Sequence, residues 1–312
     1  MAEATAWPRT LSPVEGPAPR DRVERMLSGM GKEGAAARAL VERGLAPPEL
    51  PTGLTLALLQ GQPRRAAADG APRPSAVAGG VWVREQLTVH APVPLDETLV
   101  TSGAALRRFA RGGRVYAVSA SQTRDARGRL LASNCTTGLE RYRRDPGLAD
   151  FVEGAPESEV PVAGPDRAAA AESPCLDVIR ALRTGDVLVG APIEITLERL
   201  RDRDGPEPAN PIHSDPAAAR AAGLDVPIAG GAHVLAFLQE VLLQEWGDEA
   251  LYHGAQLDVR WVAPVRAGGR IIPRAQVTRT SAKEVELALE VLCEGTAALV
   301  GRALLPLPGA TS

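Results

Sequence analysis

Four histidines, His90, His213, His233 and His253, are the side chains here best suited to moving a proton near neutral pH, because imidazole titrates at about 6.5 when unperturbed. They stand in different company. His213 ends the run Asn210-Pro211-Ile212-His213, in which Pro211 fixes a backbone dihedral just ahead of the ring, and Asp215-Pro216 directly after it reads as a helix start. Two readings are open for His213: a proton-transfer group aimed by a stiff loop, or a ring that merely caps the following helix. His233 opens a strongly apolar helical run, where a histidine is more often a satisfied core residue than a catalyst. His90 and His253 fall on expected strands with no visible partner and default to structural roles. Cys135, Cys175 and Cys293 lie far apart, in odd number and outside any CxxC pattern, so they read as free and mostly buried. No clustered metal-ligand spacing is present.

The elements that must position His213 can be read from periodicity. Residues 1–22 are rich in proline and charge, and the first helical pattern begins near Asp21, with Val23, Met26, Leu27 and Met30 at helical spacing. A second helical stretch, Ala35 to Arg43, stops at Gly44 and Pro47-Pro48. Gly53 to Leu59 is a short apolar segment, and 62–78 reads as a loop. From Val81 the pattern becomes a meander of β segments, VWVREQLTVHAPV, TLVTSGAALRRFARGG, RVYAVSASQTRDARG and RLLASNCTTGLERYR, divided by turn signals such as Gly112-Gly113. After a Pro-, Gly- and Ala-rich stretch comes a strand candidate, Val187 to Thr196, then the NPIH segment. The run Ala232 to Trp246 is apolar on more than one face and must be a buried helix. Four more β segments follow it, YHGAQLDVRWVAPV, GRIIPRAQVTRTSA, KEVELALEVLCEG and TAALVGRALLPL.

Val89-His90-Ala91-Pro92-Val93 resembles Trp261-Val262-Ala263-Pro264-Val265, each pentapeptide lying near the start of a meander, which sets a repeat of about 170 residues. The 312 residues therefore divide into two copies of one α+β domain. A hydrophobic content of 45% with 23% charged residues supports packed cores. A net charge of −3 gives no general field for nucleic acid, no stretch is apolar enough for membrane insertion, and the N-terminus lacks a leader pattern, so the expected compartment is cytoplasmic.

The segment NPIHSDPAAARAAGLDVPIAGGAHVLAFL, residues 210–238, resembles the MaoC-like (R)-specific enoyl-thioester hydratases and dehydratases. In that family an Asp-x-Asn-Pro-aliphatic-His motif is followed by an Asp-Pro helix start and a Pro-Ile loop into a Gly-led central helix. The preceding LRTGDVLVGAPIEITLERL looks like the opening of the same domain. The resemblance implies a double hotdog: an N-terminal extension over 1–22, a non-catalytic hotdog domain over 23–150, a linker over 151–173, and a C-terminal hotdog domain carrying the motif over 174–312.

It also implies a reaction. Hydrating a double bond conjugated to a thioester needs a group to activate water, a proton for the α-carbon, and donors for the enolate oxygen. His213 takes an acid/base place by resemblance, Asn210 sets the loop that aims it, and Gly231 offers its backbone N–H as oxyanion donor. The sequence departs from the family at one position: five residues before His213 stands Pro208, which cannot transfer a proton. Glu207 is the candidate replacement, with Asp204 further back in the same expected loop, and His233 is an additional candidate near the helix start. No cofactor is implied beyond the CoA or phosphopantetheine that carries the acyl thioester. The expected partners are acyl-CoA or acyl carrier protein and a second copy of the chain in a homodimer. Arg107, Arg108, Arg111 and Arg114 form a basic hairpin that is either a solvated face or a phosphate contact. The alternatives to a hydratase are a non-catalytic acyl-binding or partner subunit, and a biosynthetic isomerase or cyclase with reassigned proton transfer.

Overall fold

The computed structural model describes residues 7–18, 20–60, 80–140, 142–156, 182–208, 210–247 and 251–307. The expected loop at 62–78, most of the linker at 151–173, and Cys175 lie outside them. Among the described residues no helix is long and apolar enough to cross a membrane.

The β segments form one antiparallel sheet. The N-terminal meander is β2 (Val81–Val89), β3 (Thr98–Arg111), β4 (Arg114–Asp125) and β5 (Leu130–Leu139), and the C-terminal one is β9 (Ala255–Trp261), β10 (Arg270–Thr280), β11 (Glu284–Cys293) and β12 (Thr296–Pro306). The short strands are β1 (Arg9–Pro17), β6 (Phe151–Gly154), β7 (Val187–Val189) and β8 (Ile193–Glu194). The order is β1-β3-β4-β5-β2-β9-β12-β11-β10-β7, with β6 on β3 and β8 on β10. Each half reads outward from the centre in the same sequence of first, fourth, third and second meander strands. The halves join by antiparallel pairing of β2 with β9, from Arg84 opposite Arg260 to Val89 opposite Ala255.

The pseudo-symmetry extends to single hydrogen bonds. His90 N and Ala91 N both donate to Leu131 O, as Val262 N and Ala263 N both donate to Ala298 O. Ala46 N donates to Val93 O at 2.8 Å, as Ala229 N does to Val265 O. These bonds place Pro47-Pro48 where the second copy has Gly230-Gly231, at the entrance to the central helix of each half: α3 (Leu50–Gln60) in the first and α6 (Gly231–Trp246) in the second. The architecture is the double hotdog expected from the sequence, with each sheet half wrapped around its helix.

Helix α6 is buried on almost every side, from His233 and Val234 to Leu243 and Trp246, and anchors the main hydrophobic core, which continues into the first half through Leu87 and Val89. Two helices of the N-terminal region, α1 (Arg20–Met30) and α2 (Ala35–Glu42), pack against this C-terminal helix. The junction is specific: the Glu240 carboxylate, from within α6, accepts from Ala36 N at 2.6 Å and Ala37 N at 3.0 Å. It thereby caps a helix whose N-cap, Gly34, has no side chain to do so. Replacing Glu240 with alanine leaves two first-turn donors without their acceptor and is expected to cost about 1–3 kcal/mol. A urea midpoint equal to that of the parent protein would contradict this.

Several local expectations are corrected. Residues 9–17, read as part of an extension, form an edge strand, with Pro13 inside the bulge between Leu11 and Val14, where a missing N–H does least harm. The apolar segment Gly53 to Leu59 belongs to helix α3. The single strand at Val187 to Thr196 is two short strands, and Thr196 instead caps a helix, α4 (Leu197–Asp204), by accepting from Arg199 N. Asp204 is thus the last residue of a helix and not part of a loop. Phe151–Gly154 is a strand. His90 follows β2 and shares a 3.0 Å hydrogen bond with Ser133 Oγ, while His253 lies in the turn before β9 with φ of 60°.

Candidate active site

The NPIH run folds as a single 3-10 turn, Pro211–His213, entered through extended backbone at Asn210. Asn210 Nδ2 donates to Gly80 O at 2.9 Å, tying the turn to the start of β2 in the other half. The same amide lies 3.4 Å from His213 Nε2. On the far side of the ring, His213 Nδ1 meets Ile228 O at 2.8 Å. A carbonyl oxygen only accepts, so Nδ1 carries the hydrogen, and the Nε2 lone pair accepts from Asn210 Nδ2. Gly230, where a side-chain carbon would stand 3.7 Å from Nε2, borders the ring on that side.

Gly230 is the N-cap of α6 and supplies no side-chain cap. The amides of His233 and Val234 turn back to Gly230 O. Those of Gly231 and Ala232 have no partner among the described residues and line the same cavity as His213. Two free N–H groups at the positive end of a 16-residue helix can hold a developing oxyanion. Gly231 also has a packing reason to lack a side chain, since a Cβ there would stand 3.0 Å from the Trp261 indole. Trp82 from the first half lies 6.3 Å from Trp261, ring to ring, so the two halves share this wall.

The carboxylates differ in how they meet the ring. Asp204 Oδ2 accepts from Ser214 Oγ at 2.7 Å, which fixes it next to the NPIH turn. Burial lowers the His213 proton affinity below its ordinary value, while the Asp204 charge and the Ile228 carbonyl act to raise it and Arg203 acts to lower it. Glu207 lines the cavity but is exposed to solvent, in the turn after α4. Asp204 is therefore the carboxylate whose field reaches the imidazole. Pro208 lies beside Glu207 in the same connection.

His233 is among the residues that line the cavity but is almost wholly buried. It is 1% exposed, its Nε2 lies 3.2 Å from Gly29 O, and its ring stacks on Phe237. Burial pushes it down to about 3, so it is neutral at physiological pH and ties α6 to α1. The basic hairpin is mostly occupied: Arg108 pairs with Glu140 at 2.7 Å, and Arg107 lies over Phe109. Arg114, over Tyr142, is the member that borders the cavity. Among the described residues no group of three or more His, Cys, Asp or Glu side chains could hold a metal ion.

These groups line a cavity of about 650 Å³ that runs from the NPIH turn into the first half, past Val81, Leu54, Leu99 and Thr101. Sequence reasoning missed Arg22, Arg203, Trp82 and Trp261 as its walls. The first two sit on helices with no family motif, and the indoles approach each other only across the β2–β9 junction.

Comparison with known proteins agrees with this geometry. Residues 208–293 match the model of the MaoC like domain. No curated protein sequence matches. Among solved structures, one described as a MaoC-like dehydratase is similar at 18% identity, covering 96% of this chain and 97% of that one with a TM-score of 0.66. The full-length peroxisomal multifunctional enzyme type 2 from Drosophila melanogaster is similar at 17% identity over 96% of this chain and 48% of its own, with a TM-score of 0.63. A Mycobacterium tuberculosis protein described as having a double hotdog fold is similar at 14% identity, with 96% of both chains covered and a TM-score of 0.63. The segment that holds His213 against the start of α6 is thus part of a MaoC-like domain, set in a chain of double-hotdog fold.

Proposed function

We propose that this protein is a hydro-lyase of acyl thioesters, reversibly adding water to a trans-2-enoyl-CoA or enoyl-carrier-protein thioester to give the (R)-3-hydroxyacyl product. The observation that carries this reading is the His213 ring, held by Ile228 O with Nε2 unprotonated, beside the two free amides that open α6. In the reaction, Nε2 takes a proton from water as the water oxygen bonds to C3. The C2–C3 π electrons shift toward the thioester oxygen, held by Gly231 N–H and Ala232 N–H. The imidazolium then protonates C2, which restores the base and completes the addition. Asp204, as a carboxylate, orients the water by its second hydrogen and stabilises the transient imidazolium.

The test is loss of enoyl absorbance with crotonyl-CoA and with a longer trans-2-enoyl-CoA. Turnover of neither by the folded protein would reject the reading. It would favour an acyl-binding protein or an enzyme of reassigned proton transfer, the alternative to which Pro208 at the family's aspartate position points. The reading also fixes a pH dependence. Burial lowers the His213 proton affinity, and a base must be unprotonated, so kcat/KM should hold as pH falls past about 6.5 and drop only below it. An acid limb at or above 6.5 would contradict the assignment of His213 as the base.

A further inference from the structure

The cavity contains a cation that hydration chemistry does not use. Arg22, on α1, lines the cavity, and its guanidinium packs over Gly53, where a Cβ would stand 3.2 Å from Nε. One of its nitrogens, Nη1, donates to Gly53 O at 2.7 Å. The neighbouring arginines of the cavity have carboxylates of their own: Arg203 bonds Glu49 at 2.6 Å and Arg25 bonds Asp21 at 2.7 Å. Arg22 forms no such ion pair among the described residues. A guanidinium has five N–H donors, and although Glu49 and Asp21 act on its charge, a part-buried cation with no carboxylate in direct contact is held at a desolvation cost that a bound anion would offset. Burial, and next the charge of Arg203, hold its proton affinity below the usual arginine value.

The position of Arg22 limits what that anion is. Arg22 lies seven residues, two helical turns, before Gly29 on α1, and thus on the same face of the helix. Gly29 packs directly on Arg203 Cβ, at 2.7 Å from where its own Cβ would stand, and its carbonyl meets His233 at the first turn of α6. Arg22 feels the charge of Arg203, and Arg203 in turn acts on His213. Arg22 and His213 thus line one cavity, and the Arg203 charge acts on both. The same cavity is lined by Leu54, Leu99 and Thr101. The phosphates of CoA or phosphopantetheine are held away from the thioester by the whole pantetheine arm, so a cation that shares the cavity of His213 with the apolar walls of the first half is suited to the acyl portion.

Resting on the hydratase reading, we propose that the acyl group carries a carboxylate and that Arg22 binds it, making the substrate class short dicarboxylic enoyl thioesters in place of plain fatty acyl chains. Recognition can be measured without turnover. Binding of glutaryl-CoA and butyryl-CoA, saturated thioesters of similar length with and without the terminal acid, is compared by calorimetry for the wild type, Arg22→Gln and Arg22→Lys. The wild type should prefer glutaryl-CoA by about tenfold or more, the scale of one charge-assisted hydrogen bond. The ratio should collapse toward one in Arg22→Gln, which keeps a donor for Gly53 O, and should partly survive in Arg22→Lys. Equal binding of the two thioesters by the wild type overturns the proposal. So does a preference that Arg22→Gln leaves intact, or an equal weakening of both ligands, which would assign Arg22 to the CoA moiety or to packing. Failure to hydrate any enoyl thioester would reject the hydratase reading, while the binding ratio still decides whether Arg22 selects the acid.

Discussion

Replacing His213 with alanine is expected to lower kcat/KM for enoyl-thioester hydration by about a thousandfold, within the 10²–10⁴ range typical of a positioned general acid/base. The size of the effect follows from how the ring is held. Ile228 O takes the Nδ1 hydrogen and Asn210 Nδ2 donates to Nε2 at 3.4 Å, so both nitrogens are oriented and Nε2 is the one that can take a proton. Alanine removes both the base and the later proton donor to C2. It also leaves Ile228 O without its partner, a stability cost of about 1 kcal/mol that circular dichroism and a melting curve would separate from the catalytic loss. A folded His213→Ala protein that retained more than a tenth of the parental rate would sink the mechanism.

The second large effect is expected at Asp204. Changing Asp204 to asparagine preserves an acceptor for Ser214 Oγ but removes the charge facing the imidazole. The rate should fall by about two orders of magnitude or more, whereas Glu207→Gln should change it by no more than a few-fold. The contrast rests on geometry. Asp204 ends α4, where Gly205 turns the chain with φ of 76°, and its Oδ2 is fixed by Ser214 at 2.7 Å. Glu207 stands in solvent beyond that turn. Loss of the Asp204 charge should also shift the acid limb further down, because that charge now raises the His213 proton affinity. Equal losses in the two variants, or a greater loss at Glu207, would assign the carboxylate role the other way.

Legibility in the sequence followed the strength of local signals. The meander strands carry apolar residues of period two between glycine turns, and α6 is apolar all round, so both are visible without a partner. Helix α4 reads LERLRDRD, charged at nearly every position with Leu200 alone buried, and gives no apolar stripe to detect. Its one local sign is Thr196 at the cap. Because its last residues read as the start of a loop, Asp204 stands further from the motif than Glu207 in the sequence, and the helix end that presents it is not visible there. The NPIH turn was recognisable because its chemistry is written in four consecutive residues. Arg22 was not, because its place in the cavity depends on Gly29 and Arg203, which are brought together only when α1 crosses onto the second copy.

The matched entrances of α3 and α6 also bear on how such a chain can change. In a dimer of identical hotdog subunits every substitution appears twice, so a residue that improves one wall of a pocket must also be tolerated at the catalytic mouth of the other copy. Here the two mouths differ: Pro48 has no N–H to offer an oxyanion, while the matching Gly231 keeps its amide free. The hydrogen bonds that frame both mouths, from Ala46 and from Ala229, are the same. With both copies in one chain, the walls around Leu54, Leu99 and Arg22 can change at the first mouth without the same change at the second, where His213 stands.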